Sequence, residues 1–174
     1  YGGVLRAPMK YVGTKTYDIN GNDNTPAGGN PAAEWNATTG VFAVNPDGDT
    51  SQTPAISGVI NYLNKFGRTG PVPGRYKYFD PMGELHYEAL RYLQGLQPSA
   101  DAISSITAKQ RDGFPVYTSW SDPYGDGRSS TADYACVKSN IVVVGDKNTH
   151  DRNRLPNASS ANNIPDIAGW RSVA

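Results

Sequence analysis

A single cysteine, Cys136, and two histidines, His86 and His150, are all the thiol and imidazole ligands in this 174-residue chain. That excludes an internal disulfide framework and a cysteine-based zinc site, and it leaves little for a histidine-rich centre. Cys136 retains the option of pairing with a cysteine outside the chain. An excess of one charge is also missing, because 16 lysines and arginines balance 16 aspartates and glutamates. A nucleic-acid binder of this size carries a basic surplus, so no nucleic-acid partner is expected. No apolar run approaches the roughly 18 residues that mark a membrane span. The opening Tyr1-Gly2-Gly3-Val4-Leu5-Arg6 lacks an initiator methionine and the charged-then-apolar layout of a signal peptide. The chain therefore reads as an interior piece of something longer. Apolar residues are scarce, at 37%, against 19 glycines and 13 prolines. One modest core is expected, with much of the chain in turns and loops.

Residues 1–17 read as extended, with Val4, Leu5, Met9, Tyr11, Val12 and Tyr17 broken by Pro8 and Gly13. Residues 18–33 (DINGNDNTPAGGNPAA) have no apolar face and read as a surface loop rich in turn formers. A short apolar patch follows at Trp35, Val41, Phe42 and Val44, then a turn cluster at Asn45-Pro46-Asp47-Gly48-Asp49. Helical spacing of Val59, Ile60, Leu63 and Phe66 predicts a helix over 57–66, stopped by Gly67. A stronger helix opens with Asp80 as N-cap and Pro81 in the first turn, with Glu84 and Glu88 suited to the positive end. Leu85, Ala89, Tyr92, Leu93 and Leu96 trace its apolar face, and Gly95 and Pro98 end it. Further loop insertion is expected near 121–131, and a loop-rich tail over 147–174. No internal repeat of fixed period is present.

The run Ile141-Val142-Val143-Val144 is β-branched and apolar on both faces, which predicts a strand covered on both sides in a parallel sheet. In open α/β sheets ligands bind beyond the carboxyl ends of strands. Asp146 would reach that crevice, and Asp80 lies at the same edge if its helix follows another strand. Two such carboxylates repel unless a cation or an arginine neutralises them, and hard divalent cations suit an oxygen site. The plainer alternative is that Asp80 only caps a helix and Asp146 only opens a turn. The Asp/Asn-rich stretch from Asp18 does not complete a calcium loop, because Asp23 and Gly29 stand where glycine and glutamate are required. Asx turns explain it better. There is no G-x-S-x-G elbow and no H-E-x-x-H helix. Asn36-Ala37-Thr38 and Asn157-Ala158-Ser159 fit the glycosylation pattern. Eleven tyrosines against four phenylalanines suit half-buried and interface positions, a composition closer to secreted surface material than to a cytosolic enzyme.

The segments GRYKYFDPMGELHYEALRYLQGL, DGFPVYTSWSDPY and CVKSNIVVVGDKNTHDRNRLP, with the opening YGGVLRAPMKYVG and SGVINYLNKFGRTG, resemble the N-terminal region of the PilY/PilC family of type IV pilus assembly and tip-adhesion proteins. The resemblance implies an α/β fold, a partial von Willebrand factor type A-like, Rossmann-like sheet with helices and long irregular loops. The 174 residues would form one segment of it. It also implies a metal-ion-dependent adhesion site. Asp80 stands where the family type has a threonine, Asp146 stands where its last aspartate belongs, and the D-x-S-x-S element is not in these residues. Magnesium or calcium would then bind only in the longer parent protein.

The function so implied is a non-enzymatic adhesion and assembly segment, outside the cell or at its surface on the pilus. Its expected partners are pilin or minor pilin subunits and a host or abiotic surface ligand. A second reading is a structural subunit of an extracellular fibre, self-associating through unpaired sheet edges. A third, metal-dependent hydrolysis by Asp80, Asp146 and His150, lacks an accompanying nucleophile or base.

Overall fold

The computed structural model describes residues 3–18, 20–65, 81–125 and 138–144. Four helices are present there: α1 (Val59–Lys65), α2 (Met82–Leu93), α3 (Ala100–Ile103) and α4 (Ala108–Arg111). Among the described residues β-pairing is confined to isolated antiparallel bridges, Leu5 with Tyr117, Tyr17 with Asp23 and Trp35 with Phe42. The chain divides into two units, one of residues 5–76 and 107–117, the other of residues 1–4, 77–106 and 118–174.

In the unit of residues 5–76 and 107–117 the centre is Phe114, Pro115 and Val116, all buried. Tyr62 of α1 lays its ring against Phe114 at 5.0 Å between centroids. The inward residue of α1 is thus a tyrosine, while Leu63, expected on the apolar face, is 64% exposed. α4 is only one turn long and survives by capping. Thr107 accepts from the Gln110 amide, and the Gln110 side chain accepts from the Thr107 amide, a reciprocal box. Asp112 then turns the chain in the left-handed region at φ 54°, followed by Gly113 at φ 62°. Arg6 closes the carboxyl end of α4. One guanidinium nitrogen donates to the Gln110 carbonyl at 2.6 Å, and the other to Arg111 at 2.8 Å and Phe114 at 3.3 Å. Its cation also lies 5.5 Å from the Tyr62 ring centre. Burial lowers the Arg6 pKa, partly opposed by Tyr62 and Asp112.

The loop of residues 18–33 is held by its own side chains, as its composition predicts. Asp18 Oδ1 accepts from the amides of Asn20 and Asn22, both at 2.8 Å, and Asp23 Oδ1 accepts from Thr25 at 3.0 Å. Asn30 Nδ2 donates back to the carbonyls of Tyr11 and Gly13 at 2.7 and 2.6 Å. These carboxylates and amides serve the backbone, which is why the stretch is ordered without an apolar face.

In the second unit α2 runs as its periodicity predicts, but with Pro81 at the N-cap position and no side-chain cap. Its end is the expected glycine turn, with Gly95 at φ 70° and the Leu96 amide bonded to the Arg91 carbonyl at 2.9 Å. The buried face is not the expected one. Leu85 and Leu96 are exposed, whereas Glu84 and Glu88, one turn apart, are buried at 3% and 6% exposure. Glu88 accepts from the Ser99 amide and hydroxyl, and Ser99 in turn caps α3 by accepting from Ala102. Gly3 lies against this face. A Cβ there would stand 2.6 Å from the Glu84 carbonyl oxygen and 2.7 Å from Glu88 Cγ, so only glycine fits. Tyr92 packs edge-on against Trp120 at 5.4 Å, a half-buried tyrosine of the expected kind.

Candidate functional site

Among the described residues, a densely built polar site lies around Lys10, Glu34 and Asp47, in the unit of residues 5–76 and 107–117. Three separate pieces of chain converge there. Lys10 arrives on the extended opening segment. Glu34 stands beside Trp35, whose bridge to Phe42 starts the hairpin, and its amide donates to the Val12 carbonyl at 2.9 Å. Asp47 sits in the Asn45–Asp49 turn, tied by the Gly48 amide to the Asn45 carbonyl at 3.2 Å.

Glu34 is 1% exposed. Its two oxygens accept the amides of Val59 and Ile60 at 2.7 and 2.6 Å, the first donors of α1, which have no partner within the helix. Gly58 makes this approach possible at φ 101°, since a Cβ there would fall 2.6 Å from Pro46 Cγ and 3.0 Å from Glu34 Oε1. Lys10 Nζ stands 3.1 Å from Glu34 Oε1 and is hydrogen-bonded to Asp47 Oδ1, with both lysine and aspartate largely buried. The second oxygen, Asp47 Oδ2, is buried without a hydrogen-bond partner.

Around them Ser57, fully buried, donates to Asn45 Oδ1 at 2.6 Å and accepts from the Asp47 amide at 2.9 Å. Asn61 Nδ2 donates to the carbonyls of Ala43, Val44 and Ser57. Burial, and then Asp47 and Asp49, push the Tyr117 phenol up to about 12. Tyr117 therefore stays a neutral donor beside these carboxylates. Nothing but scattered single charges in loops marked this cluster in the sequence. The turn residues Asn45–Asp49 were legible; their meeting with Lys10 and Glu34 was not.

The residues singled out from sequence fall elsewhere. Asp80, Asp146, His150 and Cys136 lie outside the described residues. The run 141–144, expected as a covered central strand, pairs in no ladder among the described residues, and Val142 is 86% exposed. Four residues apolar on both faces need sheet neighbours on each side, and none of the described segments supplies one. Among the described residues no group of three or more His, Cys, Asp or Glu side chains is placed to hold a metal ion. No helix among them is long and apolar enough to cross a membrane.

Comparison with known proteins agrees with the sequence resemblance. A family model described as PilY1 homolog, second domain, matches residues 1–172. The type IV pilus biogenesis factor PilY1 homolog of Xylella fastidiosa is 38% identical over 179 aligned residues, which cover 94% of this chain and 14% of that protein. The chain thus spans a small fraction of the curated relative it matches. No solved structure matches it. A match over nearly every residue, in one order, decides the matter: the chain belongs to the PilY1 homolog second-domain family.

Proposed function

We propose that the chain is a non-enzymatic module of a type IV pilus assembly and tip-adhesion protein, working at the cell surface. The observation that carries this reading is the 38% identity to a protein named a type IV pilus biogenesis factor. Its partners in this reading are pilin or minor pilin subunits and a host or abiotic surface ligand. The larger part of such a protein lies outside the matched region, and we take the fold to be a von Willebrand factor A-like layer completed there. The exposed β-branched run 141–144 supports this, because an apolar strand in search of a ladder suits an incomplete sheet. The same run favours the runner-up, a fibre subunit associating edge to edge, which size-exclusion chromatography of the isolated chain separates from a module that stays monomeric. The same reading carries a divalent cation at Asp80 and Asp146 in the longer parent protein.

The test is made in the full-length parent protein. Glu34→Ala, which disrupts the polar centre, is expected to reduce surface pili or attachment severalfold while leaving transcript level unchanged. Wild-type pilus number and attachment, with the variant protein present at normal abundance, would contradict the reading.

A further inference from the structure

We propose that Lys10 and Asp47 are joined by an intramolecular isopeptide bond, with Glu34 carrying the protons. This stands on the geometry of one buried cluster and does not depend on the pilus reading. Nζ of Lys10 is hydrogen-bonded to Asp47 Oδ1 and lies 3.1 Å from Glu34 Oε1. The three groups come from residues separated by long stretches of chain, yet side-chain exposure is only 12% for the lysine, 9% for Asp47 and 1% for Glu34. A nucleophile, a carboxyl electrophile and a second carboxylate in contact with the nucleophile are the groups that amide formation requires. Their fixed positions supply the proximity that otherwise limits such a reaction.

The reaction balances without any outside reagent. One proton passes from the Lys10 ammonium to the Asp47 carboxylate along their hydrogen bond, giving a neutral amine and a carboxylic acid. Nζ attacks Cγ of Asp47 and the Nζ–Cγ bond forms. Glu34 takes a proton from Nζ and hands it to the hydroxyl on Cγ. The Cγ–O bond then breaks and water leaves. Nothing is oxidised or reduced, and Glu34 ends as it began.

Two features suit the product as well as the reactants. Asp47 Oδ2 is buried with no donor, a state that costs a charged carboxylate more than the oxygen of a neutral amide. Glu34 keeps its charge when the ammonium disappears, and the Val59 and Ile60 amides remain in place to hold it.

The experiment is the intact mass of the purified chain under denaturing conditions, followed by tryptic mapping. The wild-type chain is expected to be lighter than its sequence by one water molecule. Trypsin should fail to cut after Lys10, leaving residues 7–15 joined to residues 16–65 as a branched peptide with the link at Asp47. Lys10→Arg keeps a cation beside Asp47 but cannot form the amide, and it should show the full mass, as should Asp47→Ala. Glu34→Gln should stay unlinked or link at least tenfold more slowly. A wild-type mass equal to the sequence overturns the proposal. So does water loss that persists in Lys10→Arg, which would place a succinimide at Asp47-Gly48, or a branch mapped to Glu34. Linking of Glu34→Gln at the wild-type rate overturns the role given to Glu34.

Discussion

Replacing Glu34 by alanine is expected to destabilise the unit of residues 5–76 and 107–117 by about 3–5 kcal/mol, read by urea unfolding. Two half-buried amides, Val59 and Ile60, lose the carboxylate that accepts them at 2.7 and 2.6 Å. Hydrogen bonds to a charged group contribute about 1.5–3 kcal/mol each, and a buried donor left bare costs a comparable amount. The space left by the side chain cannot be filled from outside, since Glu34 is among the largest fully buried side chains. Glu34→Gln keeps one carbonyl oxygen for one of the two amides and should lose about half as much. Equal stability of Glu34→Ala and wild type would mean that α1 is held by its apolar contacts instead.

Arg6→Ala is expected to cost about 3–4 kcal/mol in the same unit. The guanidinium serves the Gln110, Arg111 and Phe114 carbonyls from one planar group, and α4 is a single turn with no buried residue of its own. With Arg6 removed, the Gln110 and Phe114 carbonyls lose its donors at about 1–3 kcal/mol each, part of which water entry recovers, while the Arg111 carbonyl keeps the Phe114 amide. Arg6→Lys should recover less than half of the loss, because an ammonium on a flexible stem cannot span a fork of carbonyls. Full rescue by lysine would show that charge alone matters and that the planar geometry does not.

The elements that could be read from the sequence are those whose signal is local. The 3.6-residue spacing of 59, 60 and 63 gave α1, and Pro81, Glu84 and Gly95 bracketed α2 correctly to within a residue or two. Which face of each helix is buried was not legible. Leu63 and Leu85 are apolar yet exposed, because burial is decided by what arrives from elsewhere. For α1 that is Phe114 against Tyr62, and for α2 it is Gly3 and Ser99 around Glu84 and Glu88. Buried glutamates are rare unless paired, and their partners stand far away in the sequence.

α4 was legible in principle. Thr107-x-x-Gln110 is a capping-box signature. The Asx turns of residues 18–33 follow directly from their side chains. The run 141–144 has the composition of a strand and pairs with no other described segment, and composition cannot say where a strand's partner lies. The cluster of Lys10, Glu34 and Asp47 is the extreme case, with three ordinary charges in three loops and no motif joining them.

A buried carboxylate, Glu34, starts α1 and ties it to the hairpin. Amide hydrogen exchange at Val59 and Ile60 reports on that tie. Amides at the first turn of a helix have no acceptor within it and exchange readily when solvent reaches them. With Glu34 in place, both should exchange only with cooperative opening of the unit, as slowly as its best-protected amides, and in Glu34→Gln at least one should become fast. Rapid exchange of both in the wild-type chain, at the rate of open loop amides, would contradict the account.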